Sequence, residues 1–115
     1  MQHLPASPDF SYEIRPDRDR VVVDVVGEFD LGVAPRVAAT VDELLDAGFA
    51  RVVIDLRKLS FLDSSGVHTL IAARHAAGQR GAALSLIRGP HGVHRVLTLT
   101  ATDALFEFED DWAAA

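Results

Sequence analysis

The sequence predicts an α/β domain in which helices pack on a mixed β-sheet, with elements in the order β-β-α-β-α-β-α-β. One observation is an apolar–polar alternation near the start, which is typical of strands with one buried face. A second is the recurrence of apolar residues at helical spacing between later strand-like runs. A third is the length, because 115 residues fit one domain. We expect that domain to span residues 10–108, between a flexible N-terminal segment, 1–9, and a C-terminal tail, 109–115.

A β-hairpin is predicted to open the domain. Phe10, Tyr12 and Ile14 alternate with polar residues, which indicates an edge strand. A polar, turn-rich break at residues 16–19 separates this strand from the valine-rich run 21–26. The two runs therefore predict neighbouring strands of one sheet.

Helices and strands are predicted to alternate after the hairpin. Apolar residues at helical spacing indicate helices beginning near residues 33, 64 and 93, with glycines near the ends of the first two. Between and after them, strands are predicted at 52–56, 83–87 and 106–108. The run 52–56 is apolar except for Asp55, which predicts a central strand buried on both faces. Because a buried carboxylate needs a partner, we expect Asp55 to be structural and to be paired or hydrogen-bonded.

Composition excludes several classes of function. A net charge of −6 with dispersed acidic residues supplies no basic stripe, so direct nucleic-acid binding is not expected. The absence of cysteine excludes disulfides, thiolate metal sites and a cysteine nucleophile. The sequence has neither a secretory signal pattern nor a run of about 18 apolar residues, so we expect a cytoplasmic protein without a membrane span.

The informative segment is Asp63-Ser64-Ser65-Gly66, which precedes the second predicted helix. A helix start needs one side-chain cap, and Asp or Ser supplies it. Three candidate caps therefore leave at least one hydroxyl spare. A phosphoryl group on a spare hydroxyl would lie at the positive end of the helix dipole, so the fold should survive phosphorylation.

The chain from about Phe10 to Phe108 resembles the STAS domain, which is named for sulphate transporters and anti-sigma factor antagonists. Three segments carry the resemblance in order. They are Gly27-Glu28-Phe29-Asp30, Val53-Ile54-Asp55-Leu56 leading to Phe61-Leu62-Asp63-Ser64-Ser65-Gly66, and Val96-Leu97-Thr98-Leu99-Thr100 before Leu105-Phe106. The Asp-Ser-Ser-Gly element is the specific one.

The resemblance implies a phosphorylation-controlled anti-sigma factor antagonist. Ser65 matches the serine that an anti-sigma factor phosphorylates, acting as a Ser kinase of the histidine-kinase ATPase type. The unphosphorylated form would bind that kinase and release a sigma factor. The phosphorylated form would leave the complex and be restored by a PP2C-type phosphatase. The resemblance also implies a bacterial protein, and it assigns ATP and magnesium to the kinase. Because the sequence contains no Gly-rich phosphate loop, no cofactor is expected for this chain.

The same resemblance implies a partner-binding surface around the acceptor. Asp30 and Asp63 would flank Ser65, with Ser64 as the helix cap. The predicted partner-binding residues are therefore Asp30, Asp63, Ser64, Ser65, Gly66 and His68. Two positions depart from the family pattern: His68 stands where small residues are common, which would alter which kinase fits, and Ala101 replaces the usual glycine after the third helix.

Other residues of the sequence suggest alternative functions. Ser65 and His68 share a helix face, but an orienting third group and a Gly-x-Ser-x-Gly elbow are missing, so an enzyme is not expected. His91 and His94 have a spacing compatible with two metal ligands, yet no third ligand is evident. The alternative function is a STAS subunit of a larger assembly, such as a stressosome-like scaffold or a lipid-transport ATPase complex, in which the serine serves only in docking. The oligomeric state stays open.

Overall fold

A computed structural model describes residues 2–7 and 9–109, and its strands form one six-stranded sheet in the order β1-β2-β3-β4-β5-β6. The strands are β1 Gln2–Ser7, β2 Phe10–Asp17, β3 Arg20–Phe29, β4 Arg51–Leu62, β5 Ala83–Ile87 and β6 Glu107–Phe108. The helices are α1 Ala34–Asp46, α2 Ser64–Gln79 and α3 His91–Leu99, with a short 3-10 helix at Asp103–Leu105. The first three strands are antiparallel neighbours, and β3 to β6 run parallel. The predicted mixed α/β fold is therefore confirmed.

The N-terminus differs from expectation. Residues 1–9 were expected to be flexible, but residues 2–7 form β1, which pairs with β2 from Gln2 opposite Ile14 to Ser7 opposite Phe10. The open edge of β2 offers unpaired N–H and C=O groups, so β1 is held by backbone pairing that needs no apolar alternation. At the other end, the Glu109 N–H donates to the Leu86 carbonyl at 2.8 Å. The rest of the predicted tail, 110–115, lies outside the described residues.

The helices pack on one side of the sheet. Consecutive parallel strands are neighbours, so right-handed crossovers bring α1, α2 and α3 to the same face. The main core combines Val37, Leu70 and Leu97 of these helices with alternate residues of β3 and β4, such as Val23 and Ile54. The predicted central strand is confirmed, since residues 52–56 are all at most 2% exposed.

The face of the sheet opposite α1, α2 and α3 carries a small apolar cluster and a charged network. Val22, Val53 and Ile87 form the cluster. Beside it, Asp24 of β3 and Asp55 of β4 are paired in the parallel ladder. Two arginines hold these carboxylates: Arg15 donates from Nε to Asp24 Oδ2 at 2.7 Å and from Nη2 to Asp24 Oδ1 at 3.1 Å, and Arg57 donates from Nη2 to Asp55 Oδ2 at 2.8 Å. The expectation that Asp55 is paired is confirmed.

The two neighbouring carboxyl groups have opposite pKa shifts. Burial raises the pKa of Asp24, and the hydrogen bond from Arg15 only partly offsets it. Burial alone would also raise the pKa of Asp55, but hydrogen bonds from the side chain and backbone N–H of Arg57, and from Asp24, outweigh it and lower that pKa. The charged form of Asp55 is thus favoured by the fold, and the charged form of Asp24 is disfavoured.

We expect Asp55→Asn to lower the free energy of unfolding near pH 7 by about 1–3 kcal/mol, because a buried charge-assisted contact is lost. The fold lowers the pKa of Asp55 from its ordinary value of 3.8. The stability contributed by its charge is therefore fully present above that ordinary pKa, and it is lost as the pH falls through the folded-state pKa. The deficit should therefore shrink at about pH 3. Urea titrations at both pH values measure it.

Asp42→Asn is the control for that comparison. Asp42 forms an ion pair with Arg80, in which Asp42 Oδ1 lies 3.8 Å from Arg80 Nη2. The Asp42 side chain is 55% exposed. Its replacement should change stability by less than about 0.5 kcal/mol. An Asp55→Asn deficit that grows on acidification would contradict the assigned direction.

The chain leaves α3 through a strained residue. Ala101 adopts φ 57, in the left-handed region that favours glycine. The N–H of Thr102 donates to the Leu97 carbonyl at 2.9 Å and closes the helix end. Ala101 in place of the expected glycine therefore affects the end of α3. That end lies at the opposite end of the sheet from the start of α2.

Candidate functional site at the start of helix α2

Asp63 caps helix α2. Its backbone is extended, with φ −108 and ψ −175, and its Oδ1 accepts a hydrogen bond from the Gly66 N–H at 3.0 Å. Ser64 was expected to be the cap, and that expectation is wrong, because Ser64 is already the first residue of the helix. A capping side chain must belong to the last non-helical residue to reach the free N–H groups.

The cap leaves both serine hydroxyls available. Ser64 is exposed and Ser65 is partly exposed. In the described part of the chain, no hydrogen bond involves either hydroxyl; the Ser65 carbonyl accepts one from Thr69 Oγ1 at 2.9 Å. Ser65 therefore lies in the first turn of α2 outside the core, at the positive end of the helix dipole.

Gly66 allows α2 to pack closely on the sheet. It is buried, and a Cβ built there would overlap the Leu62 side chain and lie 3.1 Å from the Phe29 carbonyl oxygen. Phe29 and Leu62 are ladder partners at the carboxyl ends of β3 and β4. The groups that approach Gly66 are thus the protein's own, and they hold the Ser65 backbone against the end of the sheet.

Asp30 lies at the same end of the sheet. The Asp63 N–H donates to the carbonyl of Phe29, the residue before Asp30, at 3.3 Å. Asp30 shapes the turn into α1, since its Oδ1 accepts from the Gly32 N–H at 2.9 Å. The structure therefore brings Asp30, Asp63 and Ser65 to one edge, as expected where parallel strands end together.

His68 is exposed three residues beyond Ser65, on the neighbouring turn of α2. No hydrogen bond joins the two side chains within the described residues. The predicted partner-binding residues are thus grouped around the start of α2, with Gly66 beneath the surface formed by the others.

The other histidines lie elsewhere. His91 begins α3 and is exposed, and the His94 ring packs edge-on against Phe108 with centroids 5.3 Å apart. Among the described residues, no group of three or more His, Cys, Asp or Glu side chains is placed to hold a metal ion. Within the same residues, no helix is long and apolar enough to cross a membrane.

Two exposed apolar residues beside the site were missed from the sequence. Leu31 is 70% exposed in the turn after β3, and Phe61 is 47% exposed near the end of β4. The exposure of Leu31 could have been predicted, because this large apolar residue stands between Asp30 and Gly32, two typical turn residues. Phe61 carried no such signal, because an apolar residue is ordinary in a strand.

We expect Asp63→Ala to lower the free energy of unfolding by about 1 kcal/mol, because the Gly66 N–H loses its cap. Ser64→Ala is the matched control and should change it by less than about 0.5 kcal/mol, since that side chain makes no capping bond. Urea unfolding of the two variants checks this. Equal losses would mean that the serine shares the cap.

Comparison with known proteins gives concordant matches. The family model of the STAS domain matches residues 11–115. A STAS-domain containing protein of Pseudomonas aeruginosa is 30% identical over 91 residues, which cover 79% of this chain and 89% of that protein.

Solved structures share the fold at low sequence identity. An anti-sigma factor antagonist from Mycobacterium paratuberculosis superposes with a TM-score of 0.81 at 23% identity, covering 96% of this chain and 94% of that chain. The anti-sigma factor antagonist SpoIIAA in its unphosphorylated form gives a TM-score of 0.75 at 19% identity, covering 90% and 91%. The Bacillus cell fate determinant SpoIIAA in the phosphorylated form gives 0.68 at 17% identity, covering 90% and 95%.

Proposed function

The chain belongs to the STAS domain family, and from that premise we propose that it is an anti-sigma factor antagonist switched by phosphorylation of Ser65. The unphosphorylated protein binds an anti-sigma factor that is also a Ser kinase, and so releases a sigma factor in the cytoplasm. Phosphorylation ends the complex, and a PP2C-type phosphatase restores the binding form. The protein itself needs no cofactor.

The observation that carries the proposal is a partly exposed Ser65 in the first turn of a helix that another residue, Asp63, caps. Because Asp63 already satisfies the Gly66 N–H at 3.0 Å, the Ser65 hydroxyl is not needed to hold α2 in place. A hydroxyl without a structural role in the described residues is free to accept a phosphoryl group. Likeness to SpoIIAA, solved in both unphosphorylated and phosphorylated forms, supports the same assignment.

The switch follows from charge and position. A phosphate on Ser65 lies in the first turn of α2, where the helix dipole favours anions by about 0.3–1 kcal/mol, so the fold is kept. In a protein interface without a counter-charge, the same dianion is costly, because desolvating an ion costs several kcal/mol. Phosphorylation therefore weakens docking and leaves the scaffold unchanged.

Intact-mass measurement tests the proposal. The protein is incubated with ATP, magnesium and each purified histidine-kinase-type anti-sigma factor of its source organism. We expect one phosphoryl group on the wild type and on Ser64→Ala, and none on Ser65→Ala. If a kinase that is active on its own substrate leaves the wild type unmodified, phospho-switching is refuted and a purely docking role as a subunit becomes the better account.

A further inference from the structure

Four large apolar side chains are exposed among residues 9–109, whose side chains the structure describes, and two of them lie at the Ser65 end of the sheet. They are Leu31 at 70%, Phe61 at 47%, Leu99 at 73% and Leu105 at 42% exposure. We propose that Leu31, with Phe61 beside it, is the apolar anchor by which the protein docks on its kinase partner. This inference rests on the proposed function and assigns residues to its docking surface.

Hydrogen bonds of the β3–α1 turn hold Leu31 at the turn's tip. The Asp30 carbonyl accepts from the N–H groups of Val33 at 3.1 Å and Ala34 at 3.0 Å, and the Asp30 side chain accepts from Gly32. Leu31 thus lies at the second position of a closed turn, while Val33 behind it is buried. Its exposure is imposed by a rigid backbone, so an ordered apolar side chain is presented without the entropic cost of ordering a loop.

Phe61 emerges at the neighbouring strand end. It is the ladder partner of Glu28, and the next residue, Leu62, is 3% exposed and contacts the position of Gly66. Successive strand residues point to opposite sides, so burial of Leu62 turns Phe61 outward. Since Phe29 and Leu62 are ladder partners as well, the β3–α1 turn and the end of β4 are adjacent.

The charges around the two anchors favour a different protein over a second copy. Glu28 is exposed and Asp30 partly exposed, and neither forms an ion pair among the described residues. A symmetric dimer through this surface would bring these like charges together. The surface therefore fits a partner that offers an apolar pocket of its own.

The anchors also explain why one phosphate is enough to switch binding. An apolar anchor contributes by excluding water, and hot spots of interfaces are desolvated centres. Ser65 lies at the same end of the sheet as Leu31 and Phe61, so a dianion there opposes the exclusion of water around them. Phosphorylation of Ser65 therefore opposes apolar docking because the phosphate and the two anchors lie at the same end of the sheet.

Leu99 supplies a matched control. Helix α3 follows the carboxyl end of β5 and returns towards the amino ends of the parallel strands, so Leu99, its last residue, lies at the opposite end from Ser65. Its exposure of 73% nearly equals the 70% of Leu31. The same Leu→Ala change therefore alters one end of the molecule or the other.

The test measures the Kd of the unphosphorylated protein for the anti-sigma factor kinase, by calorimetry. Leu31→Ala should raise Kd about tenfold or more, and Leu99→Ala should leave it within about twofold. Leu31→Gln, of similar size but polar, should also weaken binding. Circular dichroism of each variant confirms that the folds are equal.

The outcomes separate the two proposals. If the wild type binds no anti-sigma factor kinase, the proposed function fails, and the anchor with it. If the wild type binds and Leu31→Ala binds equally well, the anchor alone is overturned. Weakening by Leu99→Ala to the same extent would also overturn it, because the docking surface would then not be confined to the Ser65 end.

Discussion

Ser65→Asp is expected to weaken binding to the anti-sigma factor kinase by about two orders of magnitude, while Ser65→Ala keeps the affinity of the wild type. A carboxylate at position 65 places a charge in the proposed interface, and an unpaired buried charge costs several kcal/mol. Since each 1.4 kcal/mol is about tenfold in Kd, about 3 kcal/mol accounts for the loss. Binding measured by calorimetry gives both values.

Stability measurements must accompany this comparison. Both variants should unfold within about 0.5 kcal/mol of the wild type, because Ser65 makes no side-chain hydrogen bond in the described residues and the helix start tolerates a negative charge. A loss of binding with an intact fold assigns the effect to the interface. Equal affinities of Ser65→Asp and Ser65→Ala for the kinase would contradict a charge-based switch.

Gly27→Ala should have the largest effect on folding, with a loss of about 3 kcal/mol or more in the free energy of unfolding. Gly27 has φ +101, and a Cβ there would overlap the carbonyl oxygen of Asp9 and lie 3.3 Å from the Phe10 Cα. The backbone cannot move aside freely, because the Glu28 N–H donates to that same Asp9 oxygen at 2.8 Å. Urea unfolding measures the loss.

Gly48→Ala separates the two causes of that loss. Gly48 has φ +98, almost the same backbone conformation, but no atom lies within 4 Å of the added Cβ. It should cost only the left-handed strain of about 1–2 kcal/mol. The difference between the two variants is then the steric overlap with Asp9, and equal losses would show that strain alone explains the requirement for glycine.

Local patterns in the chain were sufficient for most of the fold and for the start of helix α2, where the candidate site lies. The apolar run 52–56 indicated a strand buried on both faces, and the Asp63–Ser65 cluster marked the start of α2, because burial periodicity and capping chemistry involve residues close in sequence. Asp55 was recognised as a residue that needs a partner for the same reason, since a carboxylate in an apolar run is anomalous wherever the strand lies.

Contacts between distant segments could not be read from those patterns. Asp63 rather than Ser64 caps α2, because the extended backbone of Asp63 depends on where β4 ends against Phe29. The strand at residues 2–7 exists because the edge of β2 is open. Leu31 is exposed because the turn after β3 closes on Asp30. Each outcome depends on strand register and on which surface another element covers, and these are properties of packing between segments far apart in the chain.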